Sequence, residues 1–114
     1  MNLTQRLQAI LAKHGAVDKR MFGGTCFMVN GNMVIGTLKD GLIARVGKEQ
    51  HAAAMKRPGA RVFDMTGRPM EGFISVNGAA VKSAAALQGW IDLAMAFNKT
   101  LPPRTAKPDK VKKR

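Results

Sequence analysis

The chain has 114 residues, of which 46% are hydrophobic, and its formal net charge is +12. This length suits one domain, and a body of this size buries roughly 65% of the surface that its unfolded chain exposes. The hydrophobic fraction excludes a chain that is disordered throughout. No apolar run approaches the roughly 18 residues of a membrane span, and the N-terminus lacks the features of a signal peptide. A single cysteine, Cys26, cannot form an internal disulfide, so we expect a cytoplasmic protein.

The positive charge is unevenly divided along the chain. Residues 99–114 hold seven basic side chains and one acidic side chain, a net +6, and residues 1–98 hold twelve basic and six acidic side chains, another +6. The last segment also contains Pro102, Pro103 and Pro108. We therefore predict a folded domain over residues 1–101 and a flexible basic tail over residues 102–114.

The first predicted element is an amphipathic helix. Its apolar residues recur at helical spacing: Leu3, Leu7, Ile10 and Leu11. Asn2 and Gln5 suit a capping pair at its start, and Gly15 suits its end. The pattern predicts a helix over residues 3–14.

Three short β-rich segments follow, and they predict an antiparallel meander. The segments are Thr25–Val29, Met33–Leu38 and Leu42–Val46. They are separated by Asn30-Gly31 and Asp40-Gly41, dipeptides that tolerate the positive φ angles of tight hairpin turns. Gly23 and Gly24 precede the first strand and permit a bend or a close approach of two backbones there.

The second half of the chain contains two more predicted helices and two more predicted strands. The segments are a helix over Lys48–Arg57 ended by Pro58-Gly59, strands over Arg61–Met65 and Gly72–Val76, and a last helix capped by Ser83 that keeps its apolar spacing from Leu87 to Leu101. The order α-β-β-β-α-β-β-α predicts a two-layer α+β fold. We expect a five-stranded, mainly antiparallel sheet with the helices packed on one face.

Several segments together resemble a known family. Arg20-Met21-Phe22-Gly23-Gly24 is followed by Phe27-Met28-Val29-Asn30-Gly31, then by Asp40-Gly41-Leu42 and Arg45-Val46-Gly47. Pro58-Gly59-Ala60, Phe63, Met70, Gly72 and the helix around Trp90 come in the same order. Over roughly residues 3–101 the chain is similar to the N-terminal domain of the TfoX/Sxy competence regulators, and the Arg-Met-Phe-Gly-Gly block is the most specific part.

The resemblance implies a helix-flanked antiparallel sheet and a regulatory, non-enzymatic role. Full-length members of the family act as positive regulators of natural competence genes, alongside an activator of the cyclic-AMP receptor type. They carry a second, C-terminal domain, whereas this chain has only a short basic segment after Leu101.

Residue types that support catalysis are few and scattered. The two histidines, His14 and His51, are expected to be structural or exposed, and Cys26 is expected to pack as a small hydrophobic side chain. The eight methionines suit core filling better than a binding surface. The acidic residues before the tail have no spacing that favours acid–base catalysis or metal binding. Gly23-Gly24 precede a strand, whereas phosphate-binding loops precede a helix. We expect no enzyme activity, no cofactor and no metal.

The basic residues of the folded part form the candidate binding site for a partner or an anion: Lys19, Arg20, Arg45, Lys56, Arg57 and Arg61. A merely solvated surface is the alternative explanation for them. The folded part has few aromatic residues and no tyrosine, which argues against base stacking. Weak, nonspecific attraction to nucleic acid is assigned to the tail, through Arg104, Lys107, Lys110, Lys112, Lys113 and Arg114.

Two functions therefore remain open at the level of sequence. The first is a regulatory adaptor that binds a protein partner, such as a transcription factor or polymerase, while the tail adds attraction to nucleic acid. The second is a small enzyme or ligand-binding domain whose site is assembled from dispersed residues.

Overall fold

The computed structural model describes residues 2–21, 24–38, 41–65 and 68–102. The first half contains helix α1 (Leu3–Leu11), a 3-10 turn (Ala12–His14) and strands β1 (Val17–Met21), β2 (Gly24–Val29), β3 (Asn32–Leu38) and β4 (Gly41–Arg45). The second half contains helix α2 (Lys48–Met55), strands β5 (Ala60–Met65) and β6 (Arg68–Asn77), a 3-10 turn (Gly78–Val81) and helix α3 (Ala84–Asn98).

The strands form one antiparallel sheet in the order β1-β2-β3-β4-β6-β5. The α+β prediction is confirmed, but the predicted number of five strands is wrong, because β1 was not recognised. Three of the five residues of β1 are charged, so the segment lacks a hydrophobic alternation. As the edge strand it pairs on one side only, from Val17 opposite Met28 to Met21 opposite Gly24.

The core lies between one face of the sheet and the three helices. Phe27, Ile35, Ala44 and Ile74 lie in one cross-strand row and are fully buried. They share a hydrophobic cluster with Leu7 and Leu11 of α1, Ala54 of α2 and Trp90, Ile91 and Ala94 of α3. Side chains alternate along a strand, so the residues on either side of each core position point to the opposite face of the sheet. We call this face the outer face.

The starts of α1 and α3 follow the predicted caps. The side chain of Asn2 accepts a hydrogen bond from the Gln5 amide, and the Gln5 side chain accepts one from the Asn2 amide. The α-helix is shorter than predicted because its last residues form the 3-10 turn that ends at Gly15, with φ of 75°. Ser83 caps α3 as predicted, but that helix ends at Asn98, before Leu101.

Glycine-containing turns confirm part of the predicted meander. Asn30 and Gly31 have φ angles of 54° and 80° and link β2 to β3 in a two-residue turn. Gly24 permits a close backbone approach, since a Cβ atom there would lie 1.8 Å from the Thr37 carbonyl oxygen. Gly23 and Asp40, which belong to the other predicted turns, lie outside the described residues.

Two asparagine side chains attach the end of α3 to the β2–β3 hairpin. Asn98 Nδ2 donates to the Val29 carbonyl at 3.1 Å, and Asn32 Nδ2 donates to the Pro102 carbonyl at 3.0 Å.

The predicted tail begins at Pro102, but residues 103–114 lie outside the described part, so the tail stays a prediction. None of the helices in the described ranges is long and apolar enough to cross a membrane.

We expect Trp90→Ala to lower the free energy of unfolding by about 3–5 kcal/mol, because it leaves a large cavity in the core. Trp90 is only 2% exposed, and the Arg57 guanidinium lies 5.6 Å from its ring centroid. Denaturant-induced unfolding measures the change. Gln88→Ala, at an exposed position of the same helix, is the control and should cost less than about 0.5 kcal/mol. A loss under about 1 kcal/mol for Trp90→Ala would contradict this core.

Candidate functional site

One cross-strand row spans the whole outer face. It runs Lys19, Cys26, Gly36, Ile43, Ser75 and Arg61, one residue from each strand. Strand neighbours lie about 4.8 Å apart, so the two cations at its ends are separated by roughly 24 Å. Lys19 and Arg61 are exposed, whereas Cys26 and Ile43 are buried. The row therefore has a buried, uncharged centre and two positively charged ends.

Arg45 lies on the same outer face, at the end of β4. Its pairing partner on β6 is Phe73, and the Arg45 guanidinium carbon lies 5.6 Å from the Phe73 ring centroid. The same carbon lies 5.5 Å from the ring centroid of Phe97, near the end of α3. The Phe63 ring is 6.4 Å from the Phe73 ring. A half-buried cation is thus held among aromatic rings, where a cation–π contact restricts its side chain.

The other predicted basic residues lie elsewhere. Arg20 belongs to the helix-covered side of β1, since it pairs with Thr25 and lines a cleft beside α1. Lys56 and Arg57 follow α2, and Arg57 contacts the core residue Trp90. Of the six candidates, the structure brings Lys19, Arg45 and Arg61 to one face and leaves the remaining three outside it.

Apolar side chains accompany these cations. Met28 and Met33 are half-buried partners on β2 and β3, and Val17, opposite Met28, is 59% exposed. Among the strand-paired residues of this face whose side chains are described, three are cationic and none is acidic. The outer face therefore combines positive charge with apolar and aromatic surface.

A basic cleft of about 600 Å³ lies on the other side of the sheet, at the start of α1. Its described lining includes the cations Arg6, Arg20 and Lys82 and the hydroxyl residues Thr4, Thr25 and Thr37. Arg6 donates to the carbonyls of Val81 and Lys82 at 2.9 and 3.1 Å, which joins α1 to the segment before α3. Arg6 and Lys82 were not predicted as site residues, because no local sequence pattern indicates that positions 76 residues apart meet.

The histidines and the cysteine considered for catalysis lie on different elements of the fold. His14 is exposed, and His51 Nδ1 accepts a hydrogen bond from the Gly72 amide at 3.0 Å. Within the described ranges, no three or more His, Cys, Asp and Glu side chains are grouped for a metal. Cys26 is 3% exposed, and burial raises the pKa of its thiol, while the charge of Lys19 acts in the opposite direction. Cys26 is therefore buried, as the sequence predicts.

These features define a two-layer α+β domain. One face of its sheet packs against the helices, and the other face carries cations and apolar side chains. The family model of the TfoX N-terminal domain matches residues 9–98 of the 114-residue chain. The chain therefore belongs to the TfoX N-terminal domain family, and it is a competence-regulator-like domain. No curated protein and no solved structure was found to match it.

We expect Cys26 to react with Ellman's reagent at pH 7.5 at least about tenfold more slowly in the folded protein than in the chain unfolded by guanidinium. In the folded protein, only a small fraction of the thiol is present as the reactive thiolate, and the sulfur atom is buried. The rate should rise with pH, since the raised pKa of the thiol leaves more of it to be deprotonated. Thiol release followed by absorbance measures both rates. Equal rates in the folded and unfolded chain would contradict a buried, neutral Cys26.

Proposed function

We propose that the protein is a non-enzymatic regulatory adaptor that binds a protein partner through the outer face of its sheet. The observation that carries this proposal is the combination of Lys19, Arg45 and Arg61 with apolar and aromatic side chains on the outer face, where Arg45 at the end of β4 also contacts Phe97 of α3. Family membership supports a regulatory role, and we infer that the partner belongs to the transcription machinery.

Several residue types of the outer face are those that protein interfaces favour. Arg, Met and aromatic residues are enriched at the buried centres of interfaces, and acidic residues are depleted there. Arg45 is already restricted by two rings, so less conformational entropy is lost when a partner immobilises it. The positive ends of the row favour a partner segment that carries carboxylates on either side of an apolar centre.

A tail contribution to nucleic-acid binding is part of this proposal. Six basic residues lie in residues 103–114, which follow Pro102 at the β2–β3 hairpin. Contacts between such side chains and phosphates depend on charge and carry no base readout. The tail would then hold the adaptor near DNA while the partner supplies sequence specificity.

The adaptor proposal predicts that reversing charge on the outer face weakens partner binding. We expect the double variant Lys19→Glu and Arg61→Glu to weaken the affinity for an identified host partner by at least about tenfold, or about 1.4 kcal/mol. The partner is first captured from the native host and identified, and calorimetry with the purified pair then gives the affinity. Lys13→Glu with Lys56→Glu is the matched control, because these exposed residues lie outside the outer face and the net charge is the same.

Three outcomes of that comparison are decisive. An affinity that falls with the outer-face variant and stays within about twofold for the control supports docking on this face. An equal loss in both variants would show that net charge, and not the outer face, determines binding. No loss in either variant would contradict the proposed surface.

The tail proposal predicts a salt-dependent affinity for duplex DNA. With four or five phosphates neutralised, the logarithmic slope against salt should be roughly −4. Changing the six basic residues of 103–114 to Gln should remove most of the binding, whereas Lys19→Gln with Arg20→Gln should remove at most about two units of slope. Titrations against two unrelated duplexes measure this. A tail-neutralised protein that still binds one duplex tightly and discriminates it from the other would make the folded domain the recognition module.

A second candidate function is binding of a small anionic ligand in the basic cleft beside α1. The specific observation in its favour is that Arg6, Arg20 and Lys82 line one cleft together with three threonines. Thermal stabilisation by carboxylates or phosphates that disappears in Arg20→Gln, without any macromolecular partner, would favour this alternative over the adaptor.

A further inference from the structure

We propose that Cys26, Met28 and Met33 bind one Cu(I) ion on the outer face of the sheet. The proposal is independent of partner docking and rests on three sulfur-containing side chains that two adjacent strands bring together. In the sequence, the methionines are typical of core filling, and no set of Cys, His and carboxylate residues has metal-ligand spacing.

The first two sulfur atoms come from one strand. Cys26 and Met28 are two positions apart on β2, so their side chains point to the same face. Cys26 Sγ lies 3.6 Å from Met28 Sδ. Metal–sulfur bonds of about 2.3 Å place neighbouring sulfur ligands about 3.7–4 Å apart, so this pair already has a separation close to that of two ligands on one ion.

The third sulfur side chain comes from β3. Met33 is the cross-strand partner of Met28, and Gly36 is the cross-strand partner of Cys26. The Met33 Cε atom lies 3.4 Å from the point where a Cβ of Gly36 would be. The Met33 side chain therefore extends along β3 into the space that the missing side chain of Gly36 leaves beside Cys26. The thiol of Cys26 and the thioether of Met28 are therefore in contact, and the Met33 side chain reaches the same part of the outer face.

The chemistry of this donor set selects a soft ion. Thioethers beside a thiolate favour Cu(I), whereas Zn²⁺ is held by thiolates, imidazoles and carboxylates, and hard cations prefer oxygen. No histidine or carboxylate with a described side chain is paired in register with these three residues. Lys19 is the cross-strand partner of Cys26 on β1. On binding, Cu(I) forms a bond to Sγ, the thiol proton passes to solvent, and no electron is transferred.

Competition with a chromogenic Cu(I) chelator under anaerobic, reducing conditions tests the site. We expect the full chain to bind one Cu(I) ion and X-ray absorption to show sulfur ligands only. Cys26→Ala should weaken binding at least about 100-fold, and Met28→Leu and Met33→Leu should each weaken it at least about tenfold, since each removes a direct ligand. Met95→Leu is the matched control, because Met95 belongs to the core cluster on the other side of the sheet, and its affinity should match that of the unchanged chain.

Each other result overturns the proposal. If the chain does not bind Cu(I), or if Cys26→Ala binds it unchanged, the site does not exist. If both methionine variants bind as tightly as the unchanged chain, the ion is held by the thiol alone. Nitrogen or oxygen ligands in the absorption spectrum would place the ion elsewhere. Met→Leu substitutions conserve volume and apolar character, so these variants test the site even if Cys26→Ala unfolds.

Discussion

The arrangement of the whole molecule depends on one row of apolar side chains that the helices cover. Phe27, Ile35, Ala44 and Ile74 are buried because α1, α2 and α3 pack on them. Side chains alternate between the two faces of a strand. Because this row points into the core, the next row, from Lys19 to Arg61, points to the outer face. A one-residue shift in the pairing register of any strand would move that strand's core side chain to the outer face and its outer-face side chain into the core. The constraint that stabilises the core therefore also positions the proposed binding surface.

Local chemistry predicts most of the secondary structure from sequence. Asn30-Gly31 and the caps at Asn2 and Ser83 depend on neighbouring residues only, and they are found where predicted. Strand β1 was missed because its existence depends on β2: the segment Val17–Met21 has little apolar pattern of its own and forms a strand by pairing. The predicted extension of α3 to Leu101 is wrong for a related reason, since Asn98 and Pro102 are bound to the β2–β3 hairpin and the helix ends at Asn98.

The candidate sites could be predicted only in part, because they depend on cross-strand register. Lys19, Arg45 and Arg61 were recognised as basic candidates, but their separation from Arg20, Lys56 and Arg57 follows from which face each strand position occupies. The sulfur cluster is harder still to infer. It requires Met33 to pair with Met28 and Gly36 to pair with Cys26, and a register shift between Phe27 and Met28 makes this combination possible.

The position of the chain end connects the two parts of the proposed function. Asn32 binds the Pro102 carbonyl, so Pro102, the last described residue, lies beside the hairpin, at the end of the sheet where Arg45 also lies. Twelve further residues in fully extended form would span at most about 43 Å. That limit exceeds the roughly 24 Å between the two ends of the outer-face row. Within the proposed function, a partner could cover the whole outer face, and an extended tail would still be long enough for its basic residues to contact nucleic acid beyond that partner. Binding of the partner and attraction to DNA need not compete for the same surface.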